Sequence, residues 1–201
     1  MNEGGCMLEK LVNKIIKKQI EKKTIGQEEA DIYRYGYFLL FEVFLNITIA
    51  FIIGILFKDL KTIIVFLAVY IPIRTYSGGW HADKLWKCTV ISNIMIVGIE
   101  LLVKYCTKAL NNNIVYINSF VVLLICIVYI CVVSPVDTKN KPLNAKEKRI
   151  YKNKLLRIIV FQICILLIFV FSKAKAEIFV LEYGYLMQTI MLLMEKMKNK
   201  D

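Results

Sequence analysis

The apolar run FLLFEVFLNITIAFIIGILF, at residues 38–57, decides the fold of this chain. A transmembrane helix needs roughly 20 mostly apolar residues, and this run has that length with a single charged residue, Glu42. A shorter run at residues 62–73 fits a re-entrant segment or a buried helix, unless it extends over residues 60–77 and also crosses. Four other runs are long enough to cross a bilayer, at residues 89–105, 114–133, 155–172 and 178–194. The sequence therefore predicts an all-α, polytopic integral membrane helical bundle with about six transmembrane segments.

The composition also indicates a membrane protein. Hydrophobic residues make up 58% of the chain, yet it contains 27 Lys and Arg residues and has a net charge of +11. A soluble core could not bury so much apolar surface. The basic residues flank the apolar runs and do not form one basic domain with aromatic positions for base stacking. We therefore expect anionic membrane lipids as their partner, and no nucleic acid.

The basic residues are unevenly divided between the two sides of a six-span topology. With an internal N-terminus, 21 of the 27 fall in cytoplasmic segments and 6 fall outside. The cytoplasmic segments are residues 1–37, 74–88, 134–157 and those after 194. Such an excess is typical of cytoplasmic loops, so we expect a multi-pass cell-membrane protein with residues 74–88 on the cytoplasmic side. A five-span topology would place the positive charges of residues 134–157 outside.

The N-terminal segment, residues 7–23, has the pattern of a basic amphipathic helix. One face carries apolar residues and the other lysines: Leu8, Leu11, Val12, Ile15, Ile16 and Ile20 against Lys10, Lys14, Lys17, Lys18 and Lys22. Such a helix would lie on the acidic cytoplasmic leaflet, and the alternative is a solvated helix packed on its own protein. The first residues lack the short apolar region of a cleavable signal peptide, so none is expected.

Neither an internal repeat nor a Pro- or Gly-rich linker divides the chain. We therefore expect a single membrane domain over residues 1–201. It would comprise an interfacial region at residues 1–37, a transmembrane bundle at 38–194 and a cytoplasmic tail at 195–201.

Polar side chains inside the apolar runs should face the bundle or a wet cavity, because contact with lipid is costly. They are Glu42, Asn46, Ser92, Asn93, Glu100, Glu182 and Gln188. Interhelical hydrogen bonding explains such residues, and a polar path for a substrate is the alternative.

The strongest candidate chemistry combines the only histidine, His81, with Cys88 in the polar stretch RTYSGGWHADKLWKC at residues 74–88. A thiolate nucleophile needs a neighbouring base or cation, and imidazole suits this role near neutral pH. Lys84 and Lys87, together with the first turn of a helix, would favour the thiolate form of Cys88. On one straight helix the pair would be separated by roughly 10 Å along the axis, so the segment between them must depart from a regular helix.

Gly78 and Gly79 directly precede this pair. They supply the freedom for a bend and would let a peptide backbone approach closely, although an ordinary turn at the end of the second span explains them as well. Arg74 could bind a substrate carboxylate through a bidentate fork, or anchor its span at the interface. The spacing assigns no third catalytic residue among Asp83, Asp137, Asn93 and Ser92.

The other cysteines do not indicate a disulfide framework or a metal site. Cys6, Cys106, Cys126, Cys131 and Cys164 lack paired spacing. One histidine without clustered carboxylates offers too few ligands, so we expect no metal and no other cofactor. The sequence at residues 77–79 also falls far short of a phosphate-binding loop.

These residues resemble those of the AgrB family, the accessory gene regulator B membrane peptidases that process quorum-sensing propeptides in Gram-positive bacteria. Arg74, Gly79, His81 and Cys88 fit the family's Arg, Gly, His and Cys positions. The stretch SPVDTKNKP at residues 134–142 resembles the family's later Pro-Val-acidic loop. The resemblance covers nearly the whole chain, including the basic N-terminus and the membrane segments.

The resemblance implies a homodimeric membrane cysteine endopeptidase with its catalytic residues on the cytoplasmic side of a Gram-positive plasma membrane. Its substrate would be an AgrD-like precursor peptide. Cys88 would attack the peptide bond after the signal segment and form a thioester, with His81 as general base and then acid. The precursor would capture the acyl group as a cyclic thiolactone or lactone. Lys139 and Lys141 could hold the acidic tail of the precursor, although topology alone would also place them in this loop.

A peptide transporter or membrane scaffold is the alternative from another class of protein. It would use Glu42, Glu100 and Glu182 along a polar path, and the chain carries no ATP-binding motif. Loss of precursor cleavage on replacing Cys88 by Ala would separate an enzyme from a transporter.

Overall fold

The computed structural model describes residues 7–80, 85–109, 112–136 and 143–198, and helices account for nearly all of them. The helices are α1 Met7–Glu21, α2 Ala30–Phe57, α3 Leu60–Ser77, α4 Leu85–Ala109, α5 Asn112–Val133, α6 Ala145–Phe171 and α7 Lys175–Lys198, with a 3₁₀ turn at Gln27–Glu29. No strand occurs in this part of the chain. Helices α2 to α7 are long and apolar enough to cross a membrane, and the predicted all-α polytopic bundle is confirmed.

Residues 62–73, for which the sequence allows a re-entrant segment, a buried helix or part of a longer span, belong to helix α3. It runs continuously over Leu60–Ser77, through Pro72, and qualifies as a span by length and composition. Its first turn is capped by Asp59, whose carboxylate accepts hydrogen bonds from Thr62 N at 3.2 Å and Thr62 Oγ1 at 2.8 Å. The structure therefore shows the longer helix, over residues 60–77, that the sequence analysis gave as one alternative.

Helix α6 begins at Ala145, well before the apolar run at residues 155–172. Asn144 and Glu147 form a capping box: the Asn144 side chain accepts from Glu147 N at 2.8 Å, and the Glu147 carboxylate accepts from Asn144 N at 2.9 Å. Lys, Glu and Arg are good helix formers, so the basic segment forms the first turns of the helix. The hydropathy of the sequence locates the apolar part of such a helix, but it does not show that the helix begins earlier, in the basic segment.

The chain divides into two compact units, Met1–Ile49 and Ala50–Asp201. In the first unit, Val12 and Ile16 on the apolar face of α1 are buried in a cluster with Ile25 and Ala30. Part of the apolar face of α1 therefore packs within its own unit, while Leu11 is exposed. A position of α1 on the lipid surface, and a single domain over residues 1–201, stay predictions.

Helix α7 is the centre of the second unit. Within its candidate span 61% of the residues are buried, against 17–33% in the other five spans. It packs against α3, α4, α5 and α6. One apolar cluster, around Phe66 and Ile99, joins α7 to α3 and α4, and another, around Ile73 and Ile130, joins it to α3, α5 and α6. The sequence could not single out α7, because several of its neighbours are more apolar than it is.

Polar residues inside this unit make interhelical hydrogen bonds. The Glu182 carboxylate on α7 accepts from Asn118 Nδ2 at 3.1 Å and Ser119 Oγ at 2.5 Å, both on α5. Gln162 Nε2 on α6 donates to Val69 O on α3 at 3.0 Å. For Glu182 these contacts match the interhelical reading, whereas Gln162 is not among the polar residues that the sequence analysis named. Glu100 is also buried, and its Oε1 has no hydrogen-bond partner among the described residues.

Candidate active site

Helix α3 ends in a turn formed by two glycines. Gly78 has φ of 76° and Gly79 has φ of 125°, a backbone region that side chains rarely adopt. A Cβ atom on Gly78 would lie 2.7 Å from Val136 O, and one on Gly79 would collide with the Arg74 guanidinium. Conformation and space both favour glycine at these positions. Residues 81–84, between His81 and Cys88, lie outside the described residues, so the departure from a regular helix predicted for that segment stays a prediction.

Arg74, in the last turn of α3, folds back over this turn. Its Nη1 donates to Gly78 O at 2.8 Å, and its Nη2 donates to Trp80 O. The guanidinium fork therefore holds backbone carbonyls just before His81, which lies outside the described residues. Binding of a substrate carboxylate by Arg74, and close approach of a substrate backbone at Gly78 and Gly79, stay predictions.

Helix α7 holds the same turn from another side. Gln188 Nε2 donates to Ser77 Oγ at 2.6 Å and to Gly78 O at 2.8 Å. Three residues further along α7, the Met191 carbonyl accepts from Trp80 N at 3.0 Å. Ser77 and Gln188 are both fully buried. The sequence marks Gln188 as a polar residue in an apolar helix but does not connect it with the turn.

The beginning of the Pro-Val stretch contacts the end of α3. Val136 N donates to Ser77 O at 3.0 Å. Lys152 on α6 donates to Ser134 O at 2.9 Å and also to Cys131 O, which fixes the chain where α5 ends. In the sequence Lys152 counts only as one more basic residue. Lys139 and Lys141 lie outside the described residues, and their contact with a substrate stays a prediction.

Cys88 lies in the first turn of α4 and is half-buried. One turn before Arg74 on the same face of α3, the ring of Tyr70 stacks on Phe66 with a centroid distance of 5.4 Å.

In the part of the chain that the structure describes, no group of three or more His, Cys, Asp or Glu side chains could hold a metal ion. Cys126 is buried in the core, whereas Cys164 is exposed on α6. Both cysteines are remote in sequence from the turn.

Arg74→Lys tests which role the fork plays. Lysine keeps the charge but loses the two parallel donors, and a hydrogen bond to a charged group contributes about 1.5–3 kcal/mol. Under the peptidase activity that the AgrB resemblance implies, cleavage of the precursor should fall by about tenfold or more. Steady-state kinetics would show the loss in kcat if the fork holds the turn, and a raised KM if it binds a substrate carboxylate. Unchanged kinetics would leave Arg74 as an interface anchor.

The described residues define a class of protein: a polytopic helical membrane protein with a thiol in the first turn of α4 and, at the end of α3, a glycine turn held by an arginine and a buried amide. The family model of AgrB, Accessory gene regulator B, matches residues 8–192. The chain belongs to this family. Membership supports a part in processing quorum-sensing propeptides, with an AgrD-like propeptide as the substrate.

Individual relatives agree with this assignment. A putative AgrB-like protein of Clostridium perfringens (strain SM101 / Type A) is 33% identical over 153 residues, covering 74% of this chain and 71% of the relative. Putative AgrB-like protein 1 of Clostridium perfringens (strain 13 / Type A) is 32% identical over 163 residues, covering 81% and 82%. Protein FsrB of Enterococcus faecalis is 26% identical over 163 residues, covering 80% of this chain and 63% of the relative. No solved structure matches the chain significantly.

Proposed function

We propose that this chain is a membrane cysteine endopeptidase that removes the C-terminal tail of an AgrD-like precursor and promotes cyclisation of the remaining signal segment. The observation that best supports this proposal is that hydrogen bonds from α3 and α7 fix the turn at residues 77–80. Arg74 and Gln188 bind the carbonyl of Gly78, and Arg74 also binds that of Trp80, directly before His81. The backbone next to the proposed base is thus fixed at the end of α3, and the proposed nucleophile Cys88 lies in the first turn of the following helix.

The proposed reaction has two acyl transfers. The Cys88 Sγ attacks the carbonyl carbon of the scissile peptide bond after His81 takes its proton. The carbon–nitrogen bond then breaks, the amine of the tail leaves with the proton from His81, and the signal segment stays on Cys88 as a thioester. A thiol or hydroxyl of the precursor attacks the thioester carbonyl, releasing the Cys88 thiol and forming a cyclic thiolactone or lactone.

The surroundings of the turn suit an intermediate that must avoid hydrolysis. Ser77 and Gln188 are fully buried and Cys88 is half-buried. Excluding water protects a reactive acyl group, and holding the reacting groups in place replaces an intermolecular reaction by an intramolecular one. Capture by the precursor itself then competes well with hydrolysis.

The acidic tail of the precursor would bind the basic first turns of α6. Lys146 and Arg149 are exposed there, and Tyr151 on the same helix packs edge-on against Tyr76 at the end of α3, with ring centroids 5.6 Å apart. This surface belongs to the helix that contacts the end of α3 through Tyr151. Lys139 and Lys141, which precede the helix in sequence, would add to its positive charge. Opposite charge would steer the tail to it.

The proposal places the site on the cytoplasmic side of the membrane. It also includes that the protein acts as a homodimer in a membrane that contains anionic lipids. The excess of basic residues on that side supports the orientation. A cysteine introduced at residue 145 should react with membrane-impermeant reagents only after the cells are opened. Labelling of residue 145 in intact cells would contradict the orientation.

A trapped intermediate tests the mechanism. A precursor whose ring-forming residue is changed to Ala cannot capture the acyl group, so a thioester should accumulate on Cys88 with slow hydrolysis as its escape. Mass spectrometry should locate a hydroxylamine-labile adduct on the peptide containing Cys88. Cys131, half-buried where α5 ends at the same end of the bundle, supplies the control: Cys131→Ala should keep the adduct. An adduct on another cysteine would refute the mechanism.

A further inference from the structure

We propose that Gln188 is a positioning residue for the peptidase reaction, acting through the turn at residues 77–80 that leads directly into His81. The inference rests on the proposed function, because it assigns Gln188 to the alignment of the proposed base. Gln188 lies in α7, more than a hundred residues after the turn, and shares no motif with it. Its side-chain contacts connect the two.

The amide nitrogen of Gln188 is fully used on the turn, whereas its Oε1 is buried without a hydrogen-bond partner among the described residues. A side-chain NH₂ group has two donors, and both are directed at the turn, to Ser77 Oγ and Gly78 O. Gly78 O can only accept, which fixes the orientation of the amide. The Nε2 atom would also lie 3.5 Å from a Cβ atom on Gly79, so the side chain packs directly against both glycines.

Helix α7 provides a second contact from the same face. The Met191 carbonyl accepts the backbone N–H of Trp80, and residues three apart on a helix lie side by side. The turn is therefore held between Arg74 at the end of α3 and Gln188 with Met191 on α7. Because these donors and acceptors flank Trp80, they fix the backbone that directly precedes residue 81 in sequence.

Gln162 offers a matched control in the same bundle. It is a buried glutamine that also donates through Nε2 to a backbone carbonyl of α3, at Val69, in the middle of that helix. Its hydrogen bond joins two helices but does not contact the turn. Comparing the two glutamines separates positioning of the turn from helix packing in general.

The experiment uses the full chain in nanodiscs, with Trp86→Phe as background so that Trp80 is the only tryptophan. Gln188→Met keeps the length of the side chain and removes both donors. We expect kcat for precursor cleavage to fall by on the order of 100-fold, as for a small misplacement of a catalytic group, with KM changed by less than about threefold. Acrylamide quenching of the half-buried Trp80 should rise about twofold as the turn loosens. Gln162→Met should leave both readouts at the parental level.

Parental kcat and parental Trp80 quenching in Gln188→Met would overturn the proposal. Equal losses in Gln162→Met would also overturn it, because packing alone would then explain the effect. If Gln188→Met does not reach the membrane, Ser77→Ala is the second variant, because it removes one acceptor of the Gln188 amide with little change in volume. A fall in kcat together with raised Trp80 quenching in Ser77→Ala would support the proposal, and parental values of both would refute it. Failure of the proposed function would give a different result, because the Cys88→Ala chain would then still cleave the precursor. The comparison of Trp80 quenching between Gln188→Met and Gln162→Met would still report whether Gln188 holds the turn.

Discussion

Replacing Cys88 or His81 by Ala should abolish cleavage of the precursor while the protein still inserts in the membrane. Removing the nucleophile or the base of a catalytic unit costs on the order of 10⁴-fold or more in kcat. The measurement is the amount of tail released from the precursor in membranes that contain equal amounts of each variant.

The matched control changes the other cysteines together. Cys6, Cys106, Cys126, Cys131 and Cys164 replaced by Ala or Ser should leave substantial activity, because they serve packing and not chemistry in the proposed mechanism. Cleavage by the Cys88→Ala chain would remove the enzyme proposal and favour a transporter or scaffold.

Gly79→Ala is expected to reduce cleavage on the order of 100-fold, because it displaces the turn before His81. At φ of 125° an alanine is strained, and its Cβ would collide with the Arg74 guanidinium. Either the turn shifts or Arg74 leaves the carbonyls of Gly78 and Trp80. Tail release measured against membrane-inserted protein reports the loss.

Gly36→Ala is the control for this substitution. Gly36 lies inside α2, and a Cβ there would meet nothing within 4 Å. In a helix interior alanine is favoured over glycine by roughly 0.5–1 kcal/mol, so this variant should cleave at the parental rate. Parental cleavage by Gly79→Ala as well would show that the conformation of the turn does not matter for the reaction.

The fold was largely predictable because crossing a bilayer imposes a length and an apolarity that a sequence displays directly. The apolar runs located all six candidate spans. Their ends were less predictable: α6 starts at a capping box around Asn144 and continues through basic residues before the apolar run begins. Likewise, the length of residues 62–73 alone did not show that α3 continues through Pro72 to Ser77.

The site was predictable only in part. Residue type singled out Arg74, Gly78 and Gly79, since a fork-shaped donor and two glycines have few structural uses. What Arg74 binds was not predictable, because a backbone carbonyl and a substrate carboxylate are both suitable acceptors. The sequence left this choice open, and the fold places Gly78 O and Trp80 O within its reach.

By itself the sequence determined the membrane class, the helical spans, the AgrB resemblance and the single histidine that any imidazole-dependent mechanism must use. Only the tertiary structure decided that α7 is central and that Gln188, Met191 and Val136 meet the turn after α3. The reason is physical. Hydropathy and helical periodicity are local properties of a chain, whereas these hydrogen bonds join residues as far as 111 positions apart and exist only once the helices have packed.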